Sequence, residues 1–358
     1  MAPFAGFHMP LWYDAAVPEH LATRKAAGLF DVTHMGRALI RGSEATRYLE
    51  YLLPTRIGKL ATGAGTYSVF CTDQGGIVDD LFVFRLSENE YYMVVNASNR
   101  PKDFAWMKRH SQGYDVRIND ISETTPMLAV QGPKAIGILQ QLTSTSLSGV
   151  PRFGLVRMKL AGHEVFATRS GYTGEDGMEI AQLEVGREGK AKAVNLWESI
   201  LQKGKPDGIV PVGLAARDTL RLEAGMVLYG NDISEETTPY QARIGFVVHL
   251  RKDSFIGKAA LTAEKASKPQ RLRVGLVLMD KGIPRHECPI YGKGRVIGQV
   301  TSGSISPLLR RGIAQGYVTR PFRKSETLVH VEIGGRKRWA EVVNPKTMLP
   351  YIRKIAGK

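Results

Sequence analysis

The alternation of apolar and polar positions divides the chain into three textures. In residues 1–125, helices are predicted over Pro18–Ala27 and around Ser43–Leu53. Strands are predicted around Gly65–Cys71, Gly76–Arg85 and Glu90–Asn96. Gly75-Gly76 supplies the turn between the first two strands. Residues 126–265 open on an apolar strand, Met127–Gln131, stopped by Gly132-Pro133. A helix over Lys134–Leu142 follows, then strands at Val156–Leu160, Glu164–Thr168 and Met178–Leu183, then a helix over Lys190–Gln202. From 266 to 358 the pattern is short β runs between Gly and Pro turns: Leu272–Leu278, Arg295–Thr301, Ile313–Val318, Thr327–Ile333 and Arg338–Val343. Strands and helices interspersed with hairpins predict an α+β body, and the last texture predicts a small barrel or sandwich. Lys258–Gln270 reads as a helix running into a linker.

Composition narrows the class. A chain of 358 residues with 43% hydrophobic and 23% charged residues has the make-up of an ordinary globular protein of two or three domains. No stretch approaches the roughly 20 apolar residues of a membrane span, and the first residues, Met1-Ala2-Pro3-Phe4-Ala5-Gly6, carry no secretory pattern. The two cysteines, Cys71 and Cys288, are far apart and lack the spacing of a disulfide framework or a zinc site, so a cytoplasmic protein with no metal is expected. The net charge of +15 attracts anionic ligands, acidic proteins or nucleic acid. Its densest clusters are Arg271/Arg273, Arg310/Arg311, Arg320/Arg323/Lys324 and Arg336/Lys337/Arg338. No nucleic-acid-binding motif directs that charge.

Three segments carry candidate chemistry. In Gly75-Gly76-Ile77-Val78-Asp79-Asp80-Leu81-Phe82-Val83-Phe84, a strand apolar on both faces holds two carboxylates. Alternation sets Asp80 on the face of Phe82 and Phe84, and Asp79 on the opposite face with Leu81. A desolvated carboxylate there could hold or take a proton. The competing reading has both acids capping the turn or pairing with arginines. In Gly171-Tyr172-Thr173-Gly174-Glu175-Asp176-Gly177-Met178-Glu179-Ile180, a glycine loop runs into a strand carrying Glu179. That carboxylate suits a paired N–H edge, and equally an ordinary Glu–Arg pair in a hairpin. In Gly213–Gly225, Arg217 and Arg221 share a helix face. Asp218 reaches Arg221, leaving Arg217 to a ligand or a carboxylate such as Glu179, or else to solvent. His34, Tyr67 and the loop Thr301–Pro307 are lesser candidates, with His34 read as a core residue. Walker, dinucleotide-binding, nucleophile-elbow and HExxH motifs are absent from the sequence.

These segments together resemble the aminomethyltransferase family, the T-protein of the glycine cleavage system. The resemblance runs in order along the chain. It includes Phe4-Ala5-Gly6, Leu29-Phe30-Asp31-Val32-Thr33-His34-Met35, Gly75 to Asp80, Gln131-Gly132-Pro133 and Gly171 to Gly177. It continues through Gly213 to Asp232, Thr301-Ser302-Gly303 and Gly316-Tyr317-Val318. It implies two ferredoxin-like units forming a folate-binding body, plus a C-terminal β-barrel domain. It also implies a reaction: an acidic lipoyl carrier, the H-protein, delivers an aminomethyl group. Ammonia is released, and the one-carbon unit passes to tetrahydrofolate as 5,10-methylenetetrahydrofolate. By resemblance Asp80 matches the catalytic aspartate, and Glu179 and Arg217 match the grip on the pterin. Met35, Tyr67, Phe84 and Tyr172 fall at positions lining that pocket.

The chain departs from the family pattern in places. The family usually carries a further segment before the equivalent of Met1. Phe7 stands where Trp is common, Gln241 where Glu is usual, and Ser306-Pro307-Leu308-Leu309-Arg310 replaces a Ser-Pro-Thr-Leu-Gly-like turn. Neighbouring readings are a folate-dependent demethylase with a different donor and a non-catalytic folate binder of iron–sulfur assembly. The latter carries a Lys-Gly-Cys-Tyr-like motif where this chain has Ser170-Gly171-Tyr172. A basic nucleic-acid binder is the third.

Overall fold

Two antiparallel-rich sheets lie face to face, because two sets of strands each carry apolar residues on both faces and so need cover on both sides. The computed structural model describes residues 1–183 and 189–357. The first sheet runs, in spatial order, Gly65–Cys71, Ile77–Ser87, Glu90–Val95, Gly36–Arg41 and Arg117–Asp120, all antiparallel. The second runs Leu155–Leu160, His163–Thr168, Gly177–Gln182, Met127–Gln131, Ala27–Asp31 and Ile209–Pro211, with only the last pairing parallel.

One face of the first sheet (Val78, Leu81, Val83, Met93) is covered by the helices Ala45–Leu52 and Arg100–His110. One face of the second (Leu128, Val130, Met178, Ile180) is covered by the helices Ala135–Gln140 and Gly189–Gly204. The remaining faces meet in a shared core of Phe30, Val32, Phe84, Tyr92, Met127, Phe166 and Ala181, joined by Ala216 and Leu220 of the helix Leu214–Glu223. The order is therefore helices, sheet, sheet, helices, and alternation along each strand decides which interface a side chain enters.

The C-terminal part is a closed six-stranded barrel: Arg271–Leu278, Arg311–Thr319, Arg295–Ser306, Pro289–Gly292, Leu328–Ile333 and Arg336–Val343. The body and barrel meet where Leu222 packs with Val277, Ile313 and Val343 and with Met348 and Ile352 of the final helix, Met348–Ile355. The α+β body with its barrel matches the expected fold class. The barrel has one strand more than the sequence pattern predicts, because Pro289–Gly292 is too short for a periodic signal. The helix Arg100–His110 was also unexpected; its first turn, Arg100-Pro101-Lys102-Asp103, is polar and reads as a loop.

Candidate functional site

The strand Ile77–Ser87 sends its two acids to different interfaces. Asp79 faces the covering helices and is fully buried. Asp80 faces the second sheet and is half-buried. Neither caps the turn, which Thr72 closes through its hydroxyl on Gly76 N at 3.1 Å. Neither bonds an arginine among the described residues. Tyr67, on the neighbouring strand, donates its phenol to Asp80 Oδ2 at 2.9 Å. Asn96 donates from Nδ2 to Asp80 Oδ1 at 2.7 Å and to Asp79 Oδ1 at 2.9 Å. Burial and the neighbouring Asp79 charge push the Asp80 carboxyl up to about 7, against the hydrogen bonds from Tyr67 and Asn96 that favour its charged form. A carboxyl poised near neutrality is suited to taking and returning a proton.

Glu179 enters the same inter-sheet core as its strand neighbour Ala181. Its Oε2 accepts from Ser170 Oγ at 2.5 Å, and among the described residues Oε1 has no hydrogen-bond donor. Burial raises its pKa, opposed by the Ser170 bond and the Arg217 charge. Arg217 stands on the helix Leu214–Glu223 with its guanidinium 4.8 Å from the centre of the Tyr172 ring. Among the described residues it makes no hydrogen bond or ion pair; Arg221, one turn on, takes Asp218 at 2.8 Å and Asp232 at 2.7 Å. The basic pair does not form a solvated face: Arg221 is 2% exposed. Burial lowers the Arg217 pKa, with Tyr172 and Glu179 opposing.

These groups form one neighbourhood. Asp80 and Tyr172 both act electrostatically on the Tyr67 phenol, and Asp80 and Arg217 both act on Tyr172. Tyr172 is fixed by donating its hydroxyl to the Val227 carbonyl. Phe84 is buried behind them, its ring 6.0 Å from Phe82 and 6.1 Å from Tyr92. Met35 is half-buried at the edge of the shared core, and its carbonyl accepts from the buried Arg37 guanidinium at 2.6 Å. His34 is buried against the Phe4 and Phe7 rings. Burial, then the Arg217 and Arg37 charges, lower its pKa to about 3, so it is neutral. A cavity of about 540 Å³ beside His34 is lined by Phe7, Met9, Asp31 and Val194, not by Asp80, Glu179 or Arg217.

Sequence reasoning missed Asn96, Asn99, Asp103, Ser170 and Arg37. Asn96 and Asn99 had a readable signal, two amides just before a helix with proline in its first turn. Asp103 had none without that helix.

Residues 1–252 match the GCVT N-terminal domain, and residues 271–347 match the glycine cleavage T-protein C-terminal barrel domain. The chain belongs to the glycine cleavage T-protein family. The aminomethyltransferase of Alkaliphilus metalliredigens is 41% identical over 343 residues, 95% of this chain and 91% of that protein. That of Thermoanaerobacter sp. (strain X514) is 42% identical over 342 residues, with 95% and 91% covered. The crystal structure of glycine cleavage system aminomethyltransferase T from Bartonella henselae superposes with a TM-score of 0.88 at 35% identity, covering 96% of this chain and 93% of that one.

The chain is accordingly a transferase, an aminomethyltransferase of glycine cleavage, in a tetrahydrofolate-dependent family. The departures from the T-protein pattern fall outside the Asp80–Glu179–Arg217 group. Phe7 packs on His34. Gln241 accepts from Arg271 at 3.0 Å and donates to Glu264 at 3.2 Å. Ser306 donates to Glu223 at 2.5 Å. Among the described residues no group of three or more His, Cys, Asp or Glu is arranged to hold a metal. No described helix is long and apolar enough to cross a membrane.

Proposed function

We propose that the chain takes an aminomethyl group from the lipoyl arm of an acidic carrier, the H-protein, and passes its carbon to tetrahydrofolate. Ammonia and 5,10-methylenetetrahydrofolate are the products. What supports this reading above all is a half-buried carboxylate and a guanidinium that keep unused hydrogen-bonding capacity among the described residues, together with a near-neutral aspartate. A pterin ring offers an amino/N–H edge to Glu179 and a carbonyl to Arg217, so both unused capacities find partners at once. Tyr172, Tyr67 and Met35 line the ring, and Phe84 backs them.

Two N–H bonds of the folate are replaced by two N–C bonds, while the donor loses its C–S and C–N bonds. Two protons therefore leave the folate nitrogens, one ending on sulfur and one on ammonia. Asp80 is the group that takes and returns them. Holding the folate still against the arm supplies the remaining acceleration by proximity. The net charge of +15 favours docking of an acidic carrier. Two free thiols, Cys71 and Cys288, suit a cytoplasmic setting. We further propose the division 1–125 and 126–265 for the two parts of the folate-binding body, and 266–358 for the barrel domain.

The test is direct. The protein is incubated with tetrahydrofolate and aminomethylated lipoyl carrier, and ammonia and the folate product are measured. Folate-dependent ammonia release that saturates with carrier and weakens with salt is expected. Ammonia release indifferent to tetrahydrofolate overturns the reading.

A further inference from the structure

Behind Asp80, on the helix-covered side of its strand, two more carboxyl groups are buried. Asp79 and Asp103 are both 0% exposed. Asp103 comes from the first turn of the helix Arg100–His110. No donor among the described residues reaches either of its oxygens. After burial, the group that acts on it most strongly is the Asp79 carboxyl. Two facing carboxylates in an apolar core repel, so they can bond only by sharing a proton.

The surroundings decide which one carries it. Asp79 accepts from the Asn96 backbone N–H at 3.1 Å, from Asn96 Nδ2 at 2.9 Å and from Asn99 Nδ2 at 2.6 Å. Three N–H donors hold it as the acceptor, and Asp103 is left to donate. The charged groups acting on Asp103 are Asp79 and Asp80 from the strand and Lys102 from its own helix. The Lys102 ammonium is turned elsewhere, to the Val78 carbonyl and the Tyr229 hydroxyl, both at 2.7 Å.

The Asn96 amide then links this pair to the front of the strand, since the same nitrogen donates to Asp79 and to Asp80. We propose that Asp103 is a positioning residue for the reaction: protonated, it bonds Asp79, which fixes the Asn96 amide that aims the Asp80 carboxyl. This rests on the reading of Asp80 as the reacting group. Burial, then the Asp79 charge and their hydrogen bond, raise the Asp103 pKa to about 11, in keeping with that assignment.

The test uses the full chain in two substitutions. Asp103→Asn keeps the shape and an N–H donor to Asp79; Asp103→Ala removes the donor. Asp103→Asn is expected to keep most of kcat with the pH midpoint of turnover unmoved, because the group it replaces was already neutral. Asp103→Ala is expected to lose roughly ten- to a hundredfold in kcat, the scale of a misaimed reacting group, with KM for tetrahydrofolate little changed. Equal losses in both variants, or a midpoint that falls in Asp103→Asn, overturn the proposal. Should Asp103→Ala fail to fold, the asparagine variant still decides, together with carboxyl ¹³C NMR of the wild type. A protonated aspartate signal persisting through pH 9 and missing from Asp103→Asn is expected; an Asp103 signal of the ionised form at pH 7 overturns it. The NMR result is independent of transfer activity. A wild type that shows the protonated signal yet transfers nothing sinks the proposed reaction rather than the acid pair.

Discussion

Tyr67 donates its phenol to Asp80 across two neighbouring strands at 2.9 Å, and that bond works with Asn96 against the burial and the Asp79 charge that push the acid toward its protonated form. Burial and the Asp79 charge favour the protonated carboxyl; the phenol favours the ionised one. Tyr67→Phe therefore raises the Asp80 pKa further above about 7. Turnover that needs Asp80 as a base climbs as pH rises through that pKa, so the variant's midpoint moves up. A hydrogen bond to a charged group contributes about 1.5–3 kcal/mol, and with part of it replaced by water the shift should be near one pH unit. The loss is then largest near neutrality and recovers at alkaline pH. A pH profile of kcat/KM checks this; a uniform loss at all pH values counts against it.

Asp80→Asn removes the proton acceptor and keeps its shape. Turnover should fall roughly 10²- to 10⁴-fold, while calorimetry still finds tetrahydrofolate binding. Stability should move the other way. The folded-state pKa of Asp80 is raised, so its stabilising contribution is complete below the unfolded value and lost as pH rises through about 7. At pH 8 the wild type bears the cost of a buried charge that the asparagine variant does not have. The variant's Tm should exceed the wild type's at pH 8, with the gap closing toward pH 4. A gap independent of pH would assign the effect to packing.

Arg217→Ala takes away the guanidinium that lies over Tyr172 and that makes no hydrogen bond or ion pair among the described residues. Hydrogen bonds to charged groups contribute about 1.5–3 kcal/mol, so folate affinity should weaken by roughly ten- to a hundredfold. Arg217→Lys should restore only part of this, because an ammonium cannot reproduce the planar fork or stack on the ring. Isothermal titration with tetrahydrofolate reads both variants. Equal affinity in Arg217→Ala would remove this residue from the pterin grip.

The fold and the site were legible to different extents. The strand Ile77–Ser87 could be read because glycines mark its start and apolar residues fill both faces; alternation alone then sent Asp79 and Asp80 to opposite interfaces. Arg217 could be singled out because Asp218 was in reach of Arg221 at three residues and not of Arg217. What could not be read was convergence. Glu179 and Asp80 stand on strands of different sheets that stack face to face, and no local pattern states which faces will meet. Asp103 was hidden by a polar helix start, and Ser170 by the generality of a serine beside a glycine loop. The order of strands, with Ala27–Asp31 entering the second sheet rather than the first, is likewise a long-range choice.

The two glycines before the Asp80 strand do different work, and substitution should separate them. Gly75 has a positive φ of 82°, the left-handed region that glycine enters without strain. Gly76 does not. An added Cβ there would lie 1.8 Å from the Glu235 carbonyl oxygen, a backbone atom. The approach is close because Ile77, the next residue, donates its N–H to the Ser234 and Thr237 carbonyls at 3.2 and 3.0 Å. Gly76→Ala must therefore push the 234–237 segment off the start of the strand and break those bonds. Overpacking typically costs 1–3 kcal/mol, and a fixed backbone neighbour sets this case at about 3 kcal/mol. Gly75→Ala should cost about 1–2 kcal/mol from conformation, with Leu261 at 3.0 Å giving way as a side chain can. Urea unfolding of both variants orders them. In Gly76→Ala the displaced strand start should also disturb Asp80, so turnover falls with stability; in Gly75→Ala turnover per folded molecule should hold. A Gly76→Ala protein as stable as Gly75→Ala would mean that the 234–237 segment moves aside freely.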